Sequence, residues 1–255
     1  MADEPRTGMG DAEITLKLLW GGRERRSRGP KPGLSVERIV EAAVELADSD
    51  GLAAVSMRRI AERLGVGAMS LYRYVPGKGE LLDLMFERAL GDEPRHPAAG
   101  RGWRARLEEA GRESLATYLR HPWLLEVVAG NRPPLGPNVM DTYEWLMAIV
   151  HESGLDAAET QAAVELFATY VAGAARAVVQ AQQAEAKTGI SDEQWWEERT
   201  DFWQQYFDPE RYPTISATYA EGGYETRLDS FEFGLGCLLD GLEARLAAHS
   251  EDRSV

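Results

Sequence analysis

The chain has 255 residues, of which 44% are hydrophobic and 27% charged, with a formal net charge of −14 and one cysteine, Cys237. That length supports one large domain or two smaller ones with a sizeable core, and the composition is that of a soluble globular protein. A single cysteine excludes an internal disulfide framework and a cysteine-based structural zinc site, and it suits a cytoplasmic location. The apolar runs fall well short of about 20 residues, so no transmembrane helix is expected, and the N-terminus is acidic before it is apolar, unlike a secretory leader.

Residues 1–34 carry Gly, Pro and Arg and read as a flexible basic N-terminal arm, with at most a turn or two of helix across 14–20. The tether GGRERRSRGPKPG sets Arg23, Arg25, Arg26, Arg28 and Lys31 against Glu24 alone. At roughly 3.3–3.6 Å per residue it reaches about 40 Å. Two readings stand side by side. Arg25, Arg26 and their neighbours add phosphate or minor-groove contacts, or the tether is a solvated linker.

Ser35 is placed to cap a helix running to about Asp48, with Val36, Ile39, Val40, Ala43, Val44 and Ala47 on its apolar stripe. Asp50-Gly51 closes it. The next stretch, SMRRIAERLGVGAMSLYRYVPGK, occupies residues 56–78. Ser56 caps a helix whose Met57, Ile60, Ala61 and Leu64 share one face. Gly65 suits the left-handed turn that ends it, and Val66 plugs the turn. A second short helix spans about 67–74 and stops at Pro76-Gly77. Two short helices at a sharp angle, with a small residue where they meet, form a helix-turn-helix, whose second helix enters the DNA major groove. Leu71 must then point inward, while Ala68, Met69, Ser70 and Arg73 face base edges. Arg pairs with guanine, and Ala or Met touches a thymine methyl. Tyr72, Tyr74 and Lys78 suit phosphates, and Ser56 caps and touches phosphate together. Arg59 and Arg63 read as solvated surface charges. A further helix covers 79–90, with Leu81, Leu82, Leu84, Met85, Phe86 and Leu90 buried. The Pro- and Gly-rich segment 91–102 marks a domain boundary.

From Trp103 the pattern is helical throughout: 103–120, 123–129, 139–152, a long Ala/Val-rich helix over 157–186, one helix over 192–206, a Pro-containing loop, and a last helix over 225–248. No strand signal and no repeat occur, so the fold class is all-α. The charge is split. Residues 1–91 hold 14 basic and 14 acidic side chains, and residues 92–255 hold 14 basic and 28 acidic ones. The acidic excess lies wholly in the second part, beyond the roughly 8 Å over which it acts on a DNA-facing surface at physiological salt.

The residues IAERLGVGAMSLYRYVPGKGELL, within 39–90, resemble the DNA-binding domain of the tetracycline-repressor (TetR) family of bacterial transcriptional regulators. The segments HPWLLE and SFEFGLGCLLDGLEARL resemble its ligand-binding and dimerisation domain. The resemblance implies an N-terminal three-helix helix-turn-helix domain over 35–91, joined to a larger helical ligand-binding and dimerisation domain over 92–255. It implies base contacts from Arg58, positions 68–70 and Arg73, and backbone contacts from Tyr72, Tyr74 and Lys78. Gly67-Ala68-Met69 is poor in hydrogen-bonding groups, which shifts sequence readout toward Arg58, Arg73 and the arm.

A two-fold dimer would set two recognition helices about 34–36 Å apart on operator DNA. The helix over 157–186 and the last helix are the candidates for that interface, or else they fill the monomer core. Trp123, Asn131, Tyr143, Phe167, Tyr170, Arg176 and Gln180 are the candidate pocket for an apolar or aromatic small-molecule effector, with Arg176 buried among Ala and Val. No Ser-His-Asp, metal-ligand or Gly-rich phosphate signature is present, and the four histidines are scattered. The expectation is therefore a ligand-responsive, homodimeric DNA-binding repressor in the cytoplasm, without metal, cofactor or catalysis. The competing expectations are an enzyme using a helical pocket and an adaptor that has lost DNA binding.

Overall fold

The computed structural model describes residues 7–21, 33–91, 102–127, 132–225 and 228–252. Among the described residues every regular element is helical. The chain divides into two compact units, residues 1–172 and 173–255. The segment 91–102 lies within the first unit, which one helix holds together.

The first unit contains α1 (Ala12–Gly21), α2 (Val36–Asp50), α3 (Met57–Leu64), α4 (Ala68–Leu71), α5 (Lys78–Leu90), α6 (Trp103–Arg120), α7 (Leu124–Val127), α8 (Pro137–His151) and the start of α9 (Ala157–Thr188). The eight residues 80–87 of α5 are all buried. A helix buried on every side belongs to the core of a larger body. Helices α1, α2 and α8 all pack on α5, so it is shared between the helix-turn-helix and the helices that follow. Leu81, Leu82 and Met85 join Ile39, Ala43, Ile60, Leu71 and Val75 in one core, which also takes in Trp123, Leu124 and Val127.

Local chemistry sets the helix ends as the sequence indicates. The Ser35 hydroxyl accepts from the Arg38 amide and the Ser56 hydroxyl from the Arg59 amide, each at 3.3 Å. Gly65 ends α3 at φ +68°, and its amide donates to the carbonyls of Ala61 and Glu62.

The expected flexible arm over 1–34 needs correction for residues 7–21. Helix α1 is ten residues long, Leu19 is buried in the core, and the Thr7 amide donates to the Val127 carbonyl at 3.0 Å. Periodicity failed to show this because only Thr15 and Leu19 of α1 are buried. The expected tether residues Arg25 and Arg26 lie outside the described residues.

The second unit holds the rest of α9, α10 (Asp192–Glu197), α11 (Thr200–Gln205), α12 (Pro213–Ala220) and α13 (Ser230–Asp252). The single helix expected over 192–206 is two short ones, and the expected loop contains α12, which opens on Pro213. A capping box between Ser191 and Gln194 starts α10. Aromatic rings pack in sequence from Trp195 to Tyr212, with centroids 4.8–6.5 Å apart. Along α13, Phe231, Leu235, Leu239 and Leu242 form a buried stripe. By length and composition α9 is apolar enough to cross a membrane, contrary to the sequence expectation. Its buried stripe of Val164, Phe167, Val171, Ala175 and Val179 and its exposed Glu165 and Arg176 make it amphipathic rather than apolar on every side.

Candidate nucleic-acid interface

The interface is built on two buried anchors. Leu71 in α4 and Val75 just beyond it are fully buried. They hold α4 against α3 and leave the opposite face to solvent. On that face Met69 is 78% exposed, and Tyr72, Arg73 and Tyr74 are exposed beside it. Ala68 and Ser70 are half-buried. The helix itself is one turn, Ala68–Leu71, and the chain continues through hydrogen-bonded turns, with the amides of Tyr74 and Val75 donating to the Leu71 carbonyl. A single protein seldom leaves a methionine and two tyrosines together on its surface without a use for them.

Around this face the charges are arranged. Arg58 is exposed at the start of α3 and pairs with Glu62 at 2.9 Å, an exposed and easily exchanged pair. Ser56 is exposed and holds its cap. Lys78 is the first residue of α5, where amides and cation together suit a phosphate. Arg59 and Arg63 are exposed, as expected of surface charges, and each pairs with an acid. Arg59 bonds Asp50 at 2.5 Å, and Arg63 bonds one Glu45 oxygen through Nε and Nη2 at 3.1 and 2.9 Å. Both tie α3 to α2. The hydrogen bond from Arg59 holds the Asp50 carboxyl below its ordinary 3.8.

The first unit also has a small open cavity of about 140 Å³. Phe86 and Leu90 of α5 line it with Tyr118, Leu146, Phe167 and Val171, and Ser114, Thr117 and Thr142 add hydroxyls. Of the seven pocket residues expected from sequence, Phe167 alone lines this cavity. Trp123 is buried, but its Nε1 donates to Asp48 Oδ1 at 2.7 Å. Tyr143, Arg176 and Gln180 are exposed, Tyr170 is half-buried and away from the cavity lining, and Asn131 lies outside the described residues. The burial expected of Arg176 is therefore corrected. It is exposed on α9, about 100° around the helix from the buried Val171, Ala175 and Val179 stripe.

Two polar junctions escaped sequence reading. Asp48 Oδ1 lies 2.8 Å from His121 Nδ1 while accepting from Trp123, so one carboxylate at the end of α2 gathers two side chains from the α6–α7 junction. Glu87 accepts from the amides of Asn138 and Val139, at 2.5 and 3.1 Å, and so caps α8 from the side of α5. A Cβ on Gly136 would meet Glu87 Oε2 at 2.3 Å, which accounts for glycine there. The sequence trace of this was three acids, Glu80, Asp83 and Glu87, at i, i+3 and i+7 on one face of α5, among its Leu, Met and Phe residues.

Two sequence profiles fit the chain. That described as "Bacterial regulatory proteins, tetR family" covers residues 39–85, and that described as "Tetracyclin repressor-like, C-terminal domain" covers residues 96–246. The chain is 46% identical over 243 residues to the HTH-type transcriptional repressor DrrR1 of Streptomyces coeruleorubidus, spanning 94% of this chain and 89% of that one. The chain belongs to the tetracycline-repressor family. As a TetR-family chain it is a DNA-binding transcriptional regulator, and the helix-turn-helix described above lies inside the first match. It is also 28% identical to the class A tetracycline repressor of transposon 1721 from Escherichia coli, over 83% of this chain and 92% of that one. Among solved TetR-family structures, apo ActR of Streptomyces coelicolor is similar at a TM-score of 0.68 and 29% identity, covering 86% of this chain and 100% of ActR. ActR in complex with actinorhodin is similar at a TM-score of 0.68 and 31% identity, covering 83% of this chain and 96% of that one.

Proposed function

We propose that the chain is a homodimeric cytoplasmic repressor that leaves its operator when a small, largely apolar effector binds. The observation that carries the reading is the position of α5. Its first residue is Lys78, four residues after Tyr74, which ends the exposed set of Met69, Tyr72, Arg73 and Tyr74, and its last turns supply Phe86 and Leu90 to the cavity. One rigid helix therefore touches both the DNA-facing side and the effector space.

In this reading Arg58, Ala68, Met69, Ser70 and Arg73 meet bases, and Ser56, Tyr72, Tyr74 and Lys78 meet phosphates. The cavity lining of aromatic and aliphatic groups with hydroxyls selects a neutral aromatic effector that accepts or donates a few hydrogen bonds. A drug-sized ligand needs about 300–1,000 Å³. The free cavity is smaller, about 140 Å³, so entry widens it and displaces α5. Tilting α5 changes the separation of the two recognition helices in the dimer. To move operator occupancy from almost full to almost empty, the effector must favour the released state by about 5.5 kcal/mol. The exposed Leu166 and Val178 on α9 and Phe233 on α13 support pairing of two copies through these helices.

The test is selection of a duplex from random-sequence DNA by the full-length protein, followed by footprinting. The expected result is a two-fold-related site whose halves lie about one helical turn, 34–36 Å, apart. Recovery of no preferred sequence at any salt concentration would sink the reading.

A further inference from the structure

We infer that residues 7–21 are a positioning strap for DNA reading, a role that rests on the operator-binding reading above. The strap grips α5 at its first turns. The Gly8 amide donates to Asp83 Oδ1 and the Asp11 amide to Glu80 Oε1, each at 2.8 Å. Both carboxylates are buried, Asp83 almost completely, and a buried charge persists where donors meet it. The strap grips the α7–α8 segment with its other contacts. The amide and hydroxyl of Thr7 donate to the Val127 carbonyl at 3.0 and 3.1 Å, and Trp20 Nε1 donates to the Leu135 carbonyl at 2.8 Å.

The fit between strap and α5 is backbone against backbone. A Cβ on Gly10 would lie 2.9 Å from the Glu80 nitrogen, and a Cβ on Gly79 would lie 2.8 Å from the Gly10 nitrogen. Neither neighbour is a flexible side-chain end that swings aside cheaply. Gly8 adds a positive φ of 71°, which lets its amide turn toward Asp83. Two glycines meeting across 69 residues of sequence, with two buried carboxylates beside them, form a built seat for this segment.

The strap holds the end of α5 that follows the recognition helix. Lys78 is the residue before Gly79, and Val75, the anchor of the reading face, is three residues earlier still. Undocking the strap leaves α2 to hold this end of α5, while α8 stays joined near its other end through Glu87. The recognition helices would still meet phosphates, but their fixed placement would be lost. Specific affinity should fall and non-specific affinity should not.

The experiment uses the full chain and a duplex that the parent protein selects from random-sequence DNA, beside a duplex of unrelated sequence and equal length. Gly10→Ala and Gly79→Ala are each expected to weaken binding to the selected duplex at least tenfold, with binding to the unrelated duplex changed less than twofold. Gly21→Ala, where a Cβ meets nothing within 4 Å, is the control and should match the parent. The two losses arise from one contact, so the double variant should bind no worse than the weaker single one. Equal behaviour of Gly10→Ala and Gly21→Ala would overturn the proposal, as would additive losses or parallel losses on both duplexes. If the parent selects no duplex, the operator-binding reading itself fails, a result distinct from all of these. Thr7→Val removes one donor to Val127 without a clash and covers the case of a poorly folding glycine variant. It should lower the specific-to-unrelated affinity ratio in the same direction, and an unchanged ratio would also overturn the proposal.

Discussion

In the proposed operator-binding reading, single side chains divide into those that meet DNA and those that set what meets it. Lys78 belongs to the first group in that reading. Lys78→Ala is expected to weaken binding to all duplexes alike and to flatten the salt dependence by roughly one unit for each protomer, measured by titration across a range of salt concentrations. Asp83 belongs to the second group. Burial holds its carboxyl above the ordinary 3.8, with the charge of Glu80 adding to the effect and the Gly8 amide opposing it. The folded chain keeps this proton over a pH range in which the unfolded chain has released it. The resulting contribution to stability is complete below pH 3.8 and is lost as pH rises through the folded value. Asp83→Asn keeps an acceptor for Gly8 and removes the titration. Denaturant midpoints measured from pH 3 upward should therefore decline less with pH in this variant than in the parent.

At the scale of elements, α4 shows how little helix a reading head requires. It is a single turn, and isolated helices of that length are not stable in water. Packing through Leu71 and Val75 holds it. Leu71→Ala is expected to cost about 2–5 kcal/mol of stability, checked by denaturant unfolding, and to lose specific DNA binding with it. Helix α5 shows the opposite case. Its sequence displays apolar residues and acids together, and every side of it is in use: core toward α2, carboxylates toward the strap and α8, and Phe86 and Leu90 toward the cavity. This is why α5 belongs to the helix-turn-helix and to the helices after residue 102 alike.

At the scale of the molecule, the acidic excess lies wholly beyond residue 91, and the residues before it, which hold the proposed DNA contacts, are balanced in charge. Dimer formation is predicted to depend on exposed apolar residues of α13. Phe233, 63% exposed, is the clearest of these. Phe233→Arg is expected to shift the protein toward monomer in sedimentation-velocity runs and to weaken specific DNA binding, because two linked heads bind far more tightly than one.

The amino-acid sequence by itself determined the helix-turn-helix, its caps, its inward Leu71 and its outward Met69, because caps, left-handed glycines and apolar spacing are local signals. It likewise determined the all-α class and the family. The tertiary structure decided what depended on distant partners. Which of the expected pocket residues line the cavity was not legible, because composition shows that an aromatic is apolar but not which space it faces. Trp123 was thus committed to Asp48 rather than to the cavity, and Arg176 turned outward. Residues 7–21 were misjudged because what docks them is backbone amides, two glycines and acids about 70 residues away. Hydrogen bonds from the main chain leave no pattern in the side-chain sequence, so only the fold could place the strap.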